Sequence, residues 1–182
     1  MAQSVENVYS EAFFELCAEA DCIDTAFEEL GEVKELIFSE ENRDYARLLA
    51  SPLIKDDDKR KSLESVFGGR VSDLTIDFLS VLSKNGRIMF LPAVYSEFKK
   101  LYYKKNNIME VTAVTSQKMS AGLREKLVKK LEQTSKNKVI LIERLDPSIL
   151  GGIILKYQDT EIDASVASGL DRIKAQIDGV IA

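Results

Sequence analysis

The chain has 182 residues, of which 45% are hydrophobic and 30% charged, so it can bury a core in one or two small domains and is not intrinsically disordered. Its net charge of −5 is unevenly spread, because residues 1–50 carry 13 acidic and only 3 basic side chains. Such an acidic first part disfavours nucleic acid and anionic lipid as partners and would attract a basic one, although a solvated, solubilising surface explains it as well.

Amphipathic helices are predicted for the first part of the chain, because apolar residues recur there at helical spacing. Ser4 is a good N-cap, Pro92 fits only in the first turn of a helix, and Gly68-Gly69 is a helix stop. The six predicted helices cover about residues 5–20, 23–38, 41–50, 56–67, 71–84 and 91–105. Short joints between them predict a six-helix bundle over residues 1–105.

The pattern changes after the polar segment 104–107, which is the predicted domain boundary. Alternation over 109–115 predicts a half-buried strand, and two further strands are predicted at 139–145 and 152–157. Ser120 and Ser165 are predicted to begin helices, the second of which includes Val166, Leu170, Ile173 and Ile177. The predicted fold class is therefore α+β, with the N-terminal bundle followed by a small α/β domain of order β-α-β-β-α over residues 108–182.

Little in this composition points to catalysis or metal binding. The chain has no histidine, and its two cysteines, Cys17 and Cys22, are predicted to face different ways on a helix as buried, reduced packing residues. With no histidine and no further cysteine, neither a zinc site, a disulfide framework nor a nucleophile–histidine pair can be assembled. The sequence therefore predicts a protein that is not an enzyme and that has no metal and no cofactor.

Membrane insertion and targeting are not expected either. Residues 1–6 contain no basic and apolar regions of the kind that a secretory signal needs, and they are too acidic for a transit peptide. No apolar run approaches the roughly 20 residues that span a bilayer. We expect no direct membrane insertion.

Two of the predicted helices are apolar on more than one side. Phe14 lies about 140° from the main apolar stripe of the first helix. In the fifth helix Ile76 and Leu79 point away from the face formed by Leu74, Phe78, Val81 and Leu82. Such a helix is either central in a bundle or carries a docking groove for another helix, and the pattern leaves both interpretations open.

Basic and glycine-rich segments allow other interpretations. The basic segments 124–130 and 99–105 could contact RNA, but the first has no interleaved aromatic residues, and solvated faces explain both. An RNA- or ribosome-associated adaptor that uses the C-terminal domain is the alternative function. Gly151-Gly152 lacks the Lys-Ser/Thr pair of a phosphate-binding loop and is expected to permit a bulge or close packing beside a strand.

Three segments together resemble the delta subunit of F-type ATP synthases, the oligomycin sensitivity-conferring protein family. Residues 9–16 resemble the family's Tyr-Ala-x-Ala-Leu-Phe-x-Leu opening, from which Ser10 and Phe13 depart conservatively. Residues 78–101 and 146–170 resemble two further family stretches. Each motif is weak alone, but their order and spacing extend over nearly the whole chain.

The resemblance implies a non-catalytic stator subunit that resists rotor torque during proton- or sodium-driven ATP synthesis. It implies that the helical domain binds the N-terminal helical segment of an alpha subunit and that the C-terminal domain binds the b subunits of the peripheral stalk. It also implies a peripheral position on the cytoplasmic side of a bacterial plasma membrane, with no nucleic acid partner.

Contact and structural residues follow from the same resemblance and from the two double-sided helices. The residues expected to contact the alpha-subunit segment are Tyr9, Ala12, Phe14, Leu16, Ile76, Leu79, Leu82 and Ser83. The residues expected to be structural are Asn85, Gly86, Arg87, Asp146, Pro147, Gly151, Gly152, Asp163 and Ser165. Arg87 is expected to pair with carbonyls or carboxylates, and Asn85-Gly86 to allow a positive φ at a tight joint.

Overall fold

The computed structural model describes residues 4–171, and six α-helices occupy the first part of the described chain. They are α1 (Val5–Glu19), α2 (Ile23–Phe38), α3 (Arg43–Ala50), α4 (Asp56–Phe67), α5 (Asp73–Lys84) and α6 (Leu91–Lys105). Short 3₁₀ segments precede α3 and α6. Pro92 is the second residue of α6, where its missing N–H is not needed, as the sequence predicted.

The helices of the first unit enclose one hydrophobic core. Phe13 of α1 lies at its centre, with its ring 4.0 Å from that of Phe78 on α5 and 5.6 Å from that of Phe98 on α6. Phe13, Leu30, Leu49, Leu63 and Phe98 are all fully buried, so that each of five helices contributes at least one anchor. Full burial of one such side chain stabilises the fold by about 1.5–3 kcal/mol.

A four-stranded sheet and one helix form the second unit. The elements are β1 (Ile108–Thr115), α7 (Ala121–Ser135), β2 (Lys138–Leu145), β3 (Gly152–Tyr157) and β4 (Thr160–Ser165). The strand order is β2-β1-β3-β4, in which β1 and β2 are parallel and the other pairs are antiparallel. A parallel pair needs a crossover connection, which α7 supplies. Val111, Ala113, Val139 and Leu141 form the buried core of this unit.

Strand β4 was not predicted, and the order β-α-β-β-α is wrong at this point. The strand lies at the sheet edge, where five of its six residues are exposed and Ile162 is its only large apolar residue. An edge strand with little buried surface needs no alternation of apolar residues, so periodicity gave no signal. Helical residues follow at 166–171, and the Ser165 hydroxyl accepts the Ser168 N–H at 3.2 Å, as expected of an N-cap. The predicted helix residues Ile173 and Ile177 lie outside the described residues.

The described residues divide after Tyr102 into two separate compact units. The division falls inside α6, a few residues before the boundary that the sequence suggested. Tyr102 belongs to the first unit, where its ring stacks 4.1 Å from that of Phe27 on α2. This aromatic contact joins the end of α6 to α2 within the first unit.

Two carboxylates hold the turns at the ends of β2 and β4. The Asp146 carboxylate accepts the Ser148 hydroxyl at 2.6 Å and the Ser148 N–H at 2.9 Å, and these bonds lower the pKa of Asp146 below its usual value. Asp163 accepts the N–H of Ser165 at 2.7 Å. Pro147 lies inside the first of these turns, between Asp146 and Ser148. These contacts suit the structural role that the sequence suggested for the Asp-Pro and Asp-x-Ser segments.

Gly152 begins β3 in a conformation that other residues rarely adopt. Its φ is +88°, and a Cβ at this position would lie 2.5 Å from the Ala164 carbonyl oxygen of β4. We expect Gly152→Ala to destabilise the second unit by about 2–4 kcal/mol, because the backbone must shift and the conformation is strained. Thermal unfolding of the second unit, followed by circular dichroism, measures the change.

The matched control is Gly122→Ala in α7. A Cβ there would meet nothing within 4 Å, and Ala is the better helix former by up to about 1 kcal/mol. This variant should therefore unfold at an equal or higher temperature than the parent. Equal stability of the two alanine variants would contradict the close approach at Gly152.

Candidate docking surface on the helical unit

Helices α1 and α5 lie side by side in antiparallel directions. Near the start of α1 the Tyr9 hydroxyl accepts hydrogen bonds from Asn85 and Arg87, both at 3.1 Å, just beyond the end of α5. Phe13, one turn after Tyr9 in α1, stacks on Phe78, which lies two turns before Asn85 in α5. These contacts make α1 and α5 neighbours along this side of the bundle.

The outward side of this helix pair is apolar. Val8, Ala12 and Leu16 follow one another at intervals of four residues and so share one line along α1. Val8 is 48% exposed and Leu16 50%, and Val81 of α5, one turn before Asn85, is 47% exposed. We call Val8, Tyr9, Ala12, Leu16 and Val81 the α1–α5 flank. It contains three of the residues for which the sequence predicted a docking role.

The other predicted docking residues on α5 are not available at the surface. Ile76 is 4% exposed, and Leu79, Leu82 and Ser83 are fully buried, so none of these four side chains reaches the surface in this structure. Their direct contact with a partner stays a prediction. The Ser83 hydroxyl donates to the Leu49 carbonyl at 2.7 Å, inside the bundle. The reason is that α5 packs against α1, α2, α3 and α4, so its two apolar sides reflect a central position. The sequence pattern had left this interpretation open.

Phe14 also lies away from the flank. Its half-buried ring packs edge-on against Phe98 of α6, at 5.5 Å between ring centres. The residue before it, Phe13, faces the core, and a step of about 100° then turns Phe14 to the side opposite Tyr9. The contact role predicted for Phe14 would therefore need a second surface of α1, separate from the flank.

The residues after α5 connect it to α1. Gly86 adopts φ +64°, and the N–H of Arg87 returns to the Leu82 carbonyl at 2.7 Å, which ends the helix in a tight turn. Arg87 was expected to pair with carbonyls or carboxylates, but it donates to the Tyr9 hydroxyl and lies 5.4 Å from the centre of that ring. Tyr9 is thus half-buried and held in place by Asn85 and Arg87.

Acidic side chains border the flank on both helices. Glu11 and Glu15 are exposed on α1, and Asp73 and Asp77 are exposed on α5. Asp77 pairs with Arg60 at 2.7 Å, so part of this charge is compensated. The surface is therefore an apolar strip with an acidic border, which complements an amphipathic helix with basic flanks.

Sequence reasoning did not identify Val8 and Val81 as surface residues. Val81 was assigned to the same face as Leu74, Phe78 and Leu82, because an apolar stripe by itself does not show which of its residues are buried. The exposed acidic residues beside them, Glu11 and Asp77, were the available signal that the stripe extends beyond the core.

The part of the chain that the structure describes contains no group of three or more His, Cys, Asp or Glu residues able to hold a metal ion. In the same residues, no helix is both long enough and apolar enough to cross a membrane.

Comparisons with known proteins cover nearly the whole chain. The family model described as ATP synthase delta (OSCP) subunit matches residues 5–177. The ATP synthase subunit delta of Clostridioides difficile (strain 630) is 31% identical over 181 residues, which cover 100% of this chain and 99% of that protein. The sodium-ion-specific ATP synthase subunit delta of Propionigenium modestum is 31% identical over 165 residues, covering 91% and 93% of the two chains.

A solved structure has the same fold. A chain of the Toxoplasma gondii mitochondrial ATP synthase hexamer superimposes with a TM-score of 0.74 at 22% identity, and the match covers 96% of this chain and 98% of that one. None of these similar proteins carries a name that supports an RNA- or ribosome-associated adaptor.

Proposed function

The chain belongs to the ATP synthase delta (OSCP) subunit family, and we propose that it joins the alpha subunits of the catalytic head to the b subunits of the peripheral stalk. As a member of this family it is a subunit of an ATP synthase with a place in its stator. Two separate surfaces of this chain make the two connections. The α1–α5 flank is the observation on which this proposal depends.

The first connection uses the flank to bind the N-terminal helical segment of an alpha subunit. Val8, Leu16 and Val81 are each about half exposed, so a helix laid along them would cover apolar surface that water now contacts. The net charge of −10 over residues 1–50 would favour encounter with a basic segment, an effect that weakens with salt. Tyr9, Ala12 and Leu16 keep the contact role that the sequence assigned to them.

The buried α5 residues support this surface without touching the partner. Phe78 stacks on Phe13, and Leu79 and Leu82 fix α5 in the bundle, so the spacing of the two helices is set by core packing. A rigid surface loses little conformational entropy when a helix binds to it. Ile76, Leu79, Leu82 and Ser83 therefore act by positioning α5.

The second connection uses the C-terminal unit to bind the b subunits. That unit has its own core, formed by β1, β2 and α7, and can act as a separate attachment point. Two attachments to one complex raise the effective concentration for each other, so neither contact needs extreme affinity. A stator must also hold under sustained torque, which requires slow dissociation more than fast association.

The proposed role is mechanical and not catalytic. The chain has no histidine, and we assign no residue a chemical step. Attachment to head and stalk would hold the protein at the periphery of the membrane, on the cytoplasmic side in a bacterium. We assign it no cofactor and no contact with nucleic acid.

Substitution of Leu16 tests the head contact. We expect Leu16→Asp to weaken binding of the cognate alpha-subunit N-terminal peptide at least about tenfold, because it places a carboxylate in the apolar strip. Isothermal calorimetry on the full-length protein measures the affinity, and circular dichroism checks that the bundle remains folded.

Val66→Asp is the control for this experiment. Val66 is 45% exposed on α4, outside the flank, so its substitution changes exposed apolar area and charge by similar amounts at another place. We expect its affinity to stay within about twofold of the parent, because surface substitutions away from an interface have small effects. Equal losses in both variants, or none in either, would contradict the assignment of the head contact to the flank.

A further inference from the structure

The corner between α1 and α2 brings the two cysteines together. After the last turn of α1, Asp21 adopts a left-handed conformation with φ +52°, and the Cys22 N–H donates to the Cys17 carbonyl at 3.0 Å. This bond is the closing contact of a Schellman motif, which is frequently accompanied by a side-chain contact between the two residues that the bond joins. The sequence prediction that the cysteines face different ways assumed that both lie on one helix, but α1 ends at Glu19 and α2 begins at Ile23.

The two thiols are close enough for chemistry between them. The neighbouring Cys22 contributes to the raised pKa of the Cys17 thiol, and both are free cysteines. Standard bond lengths along the path from Cys17 Cα through the backbone hydrogen bond to Cys22 Cα limit their separation to about 7 Å. Disulfides join cysteines whose Cα atoms are usually about 4.4–6.8 Å apart. The backbone hydrogen bond therefore keeps the two cysteines within or close to the range of Cα separations that a disulfide needs.

The two cysteines differ in access to solvent. Cys17 is fully buried in the core, whereas Cys22 is half-buried at the start of α2. Burial and the neighbouring Cys22 raise the pKa of the Cys17 thiol to about 12. A thiolate is the reactive form of cysteine, so Cys22 is the residue that meets an external reagent first.

We propose that Cys17 and Cys22 form an oxidisable dithiol that closes to an intramolecular disulfide when a small disulfide oxidant reaches Cys22. The Cys22 thiolate attacks one sulfur of the reagent, a mixed disulfide forms, and one reagent thiolate leaves. Cys17 Sγ then attacks the Cys22 sulfur, and its proton goes to the second reagent thiolate as that group leaves. Two protein thiols are oxidised to one disulfide, and one reagent disulfide is reduced to two thiols.

This chemistry places a modification site at the end of α1, next to the proposed head contact. Leu16 of the flank directly precedes Cys17, and α2 begins directly after Cys22. The disulfide would tie the last turn of α1 to the first turn of α2. The proposal itself concerns only the dithiol and stands whether or not the flank binds an alpha subunit.

Intact-mass spectrometry of the full-length protein, treated with oxidised glutathione, tests the proposal. We expect the parent protein to lose the mass of two hydrogens, to carry no glutathione, and to recover both thiols on reduction. A peptide that links Cys17 to Cys22 should appear after digestion without reductant. A persistent glutathione adduct at Cys22, a dimer linked by a disulfide, or two unreacted thiols would each overturn the proposal.

Two serine variants separate the roles of the cysteines. Cys17→Ser should accumulate the mixed disulfide at Cys22, because no second thiol is present to displace glutathione. Cys22→Ser should react at least about tenfold more slowly than Cys17→Ser, because its remaining thiol is buried. Equal rates in the two folded variants would overturn the order of the steps. The parent protein alone decides whether the disulfide forms, so the main test does not depend on either variant folding.

Discussion

Leu79→Asp is expected to unfold the helical unit, with a loss of more than about 4 kcal/mol in the free energy of unfolding. Leu79 of α5 is fully buried in the core of the helical unit, so the substitution removes apolar contacts and places an unpaired carboxylate in that core. Chemical denaturation followed by circular dichroism measures the effect, and loss of the folded helical signal in water would be its extreme form.

The control for Leu79 lies on the same helix. Val81 is 47% exposed, so Val81→Asp should change the stability by no more than about 1 kcal/mol. It should nevertheless weaken binding of the alpha-subunit peptide, since Val81 belongs to the flank. A stable, folded Leu79→Asp protein that fails to bind would show instead that Leu79 contacts the partner directly.

Glu29→Ala is expected to lower the free energy of unfolding of the helical unit by about 2–4 kcal/mol. Glu29 is 8% exposed, and its carboxylate accepts hydrogen bonds from the Ser72 N–H and the Ser72 hydroxyl, both at 2.8 Å, and from the Thr75 hydroxyl. It therefore satisfies donors at the start of α5, where a negative charge also interacts favourably with the helix dipole. Thermal or urea unfolding measures the loss.

Glu28→Ala is the matched control. Glu28 is the preceding residue of α2, has the same side chain and is exposed. The substitution should therefore lower the free energy of unfolding by no more than about 0.5 kcal/mol. If both alanine variants are equally stable, the Glu29 hydrogen bonds do not hold the start of α5. A difference of more than about 2 kcal/mol between them would identify this carboxylate as a clamp between α2 and α5.

Periodicity and helix signals predicted most of the helical unit. The bounds of α2 follow from the spacing of Ile23, Leu30 and Ile37, and α4 ends before Gly68 as its glycines indicated. The predicted strands β1, β2 and β3 differ from the observed ones by at most one residue at each end. In each of these elements the local preference of the residues and their pattern of burial favour the same structure. The local sequence is therefore enough to predict the element.

Residues whose environment depends on distant partners were predicted less well. Strand β4 has little apolar character and is fixed mainly by its hydrogen bonds to β3, a partner that local pattern does not identify. Glu29 gave no sequence signal, because its partners Ser72 and Thr75 are more than 40 residues away. The Cys17–Cys22 contact depends on one left-handed residue, Asp21, which the helical pattern did not reveal.

The sequence by itself determined the α+β class, the positions of the helices and the acidic character of the first unit, because spacing and composition are properties of the chain. Only the tertiary structure decided which apolar side of α5 is core and which is surface. Both sides carry similar residues, and exposure depends on how many neighbouring helices cover them. Leu79 is therefore buried and Val81 exposed, although both are apolar residues on one helix.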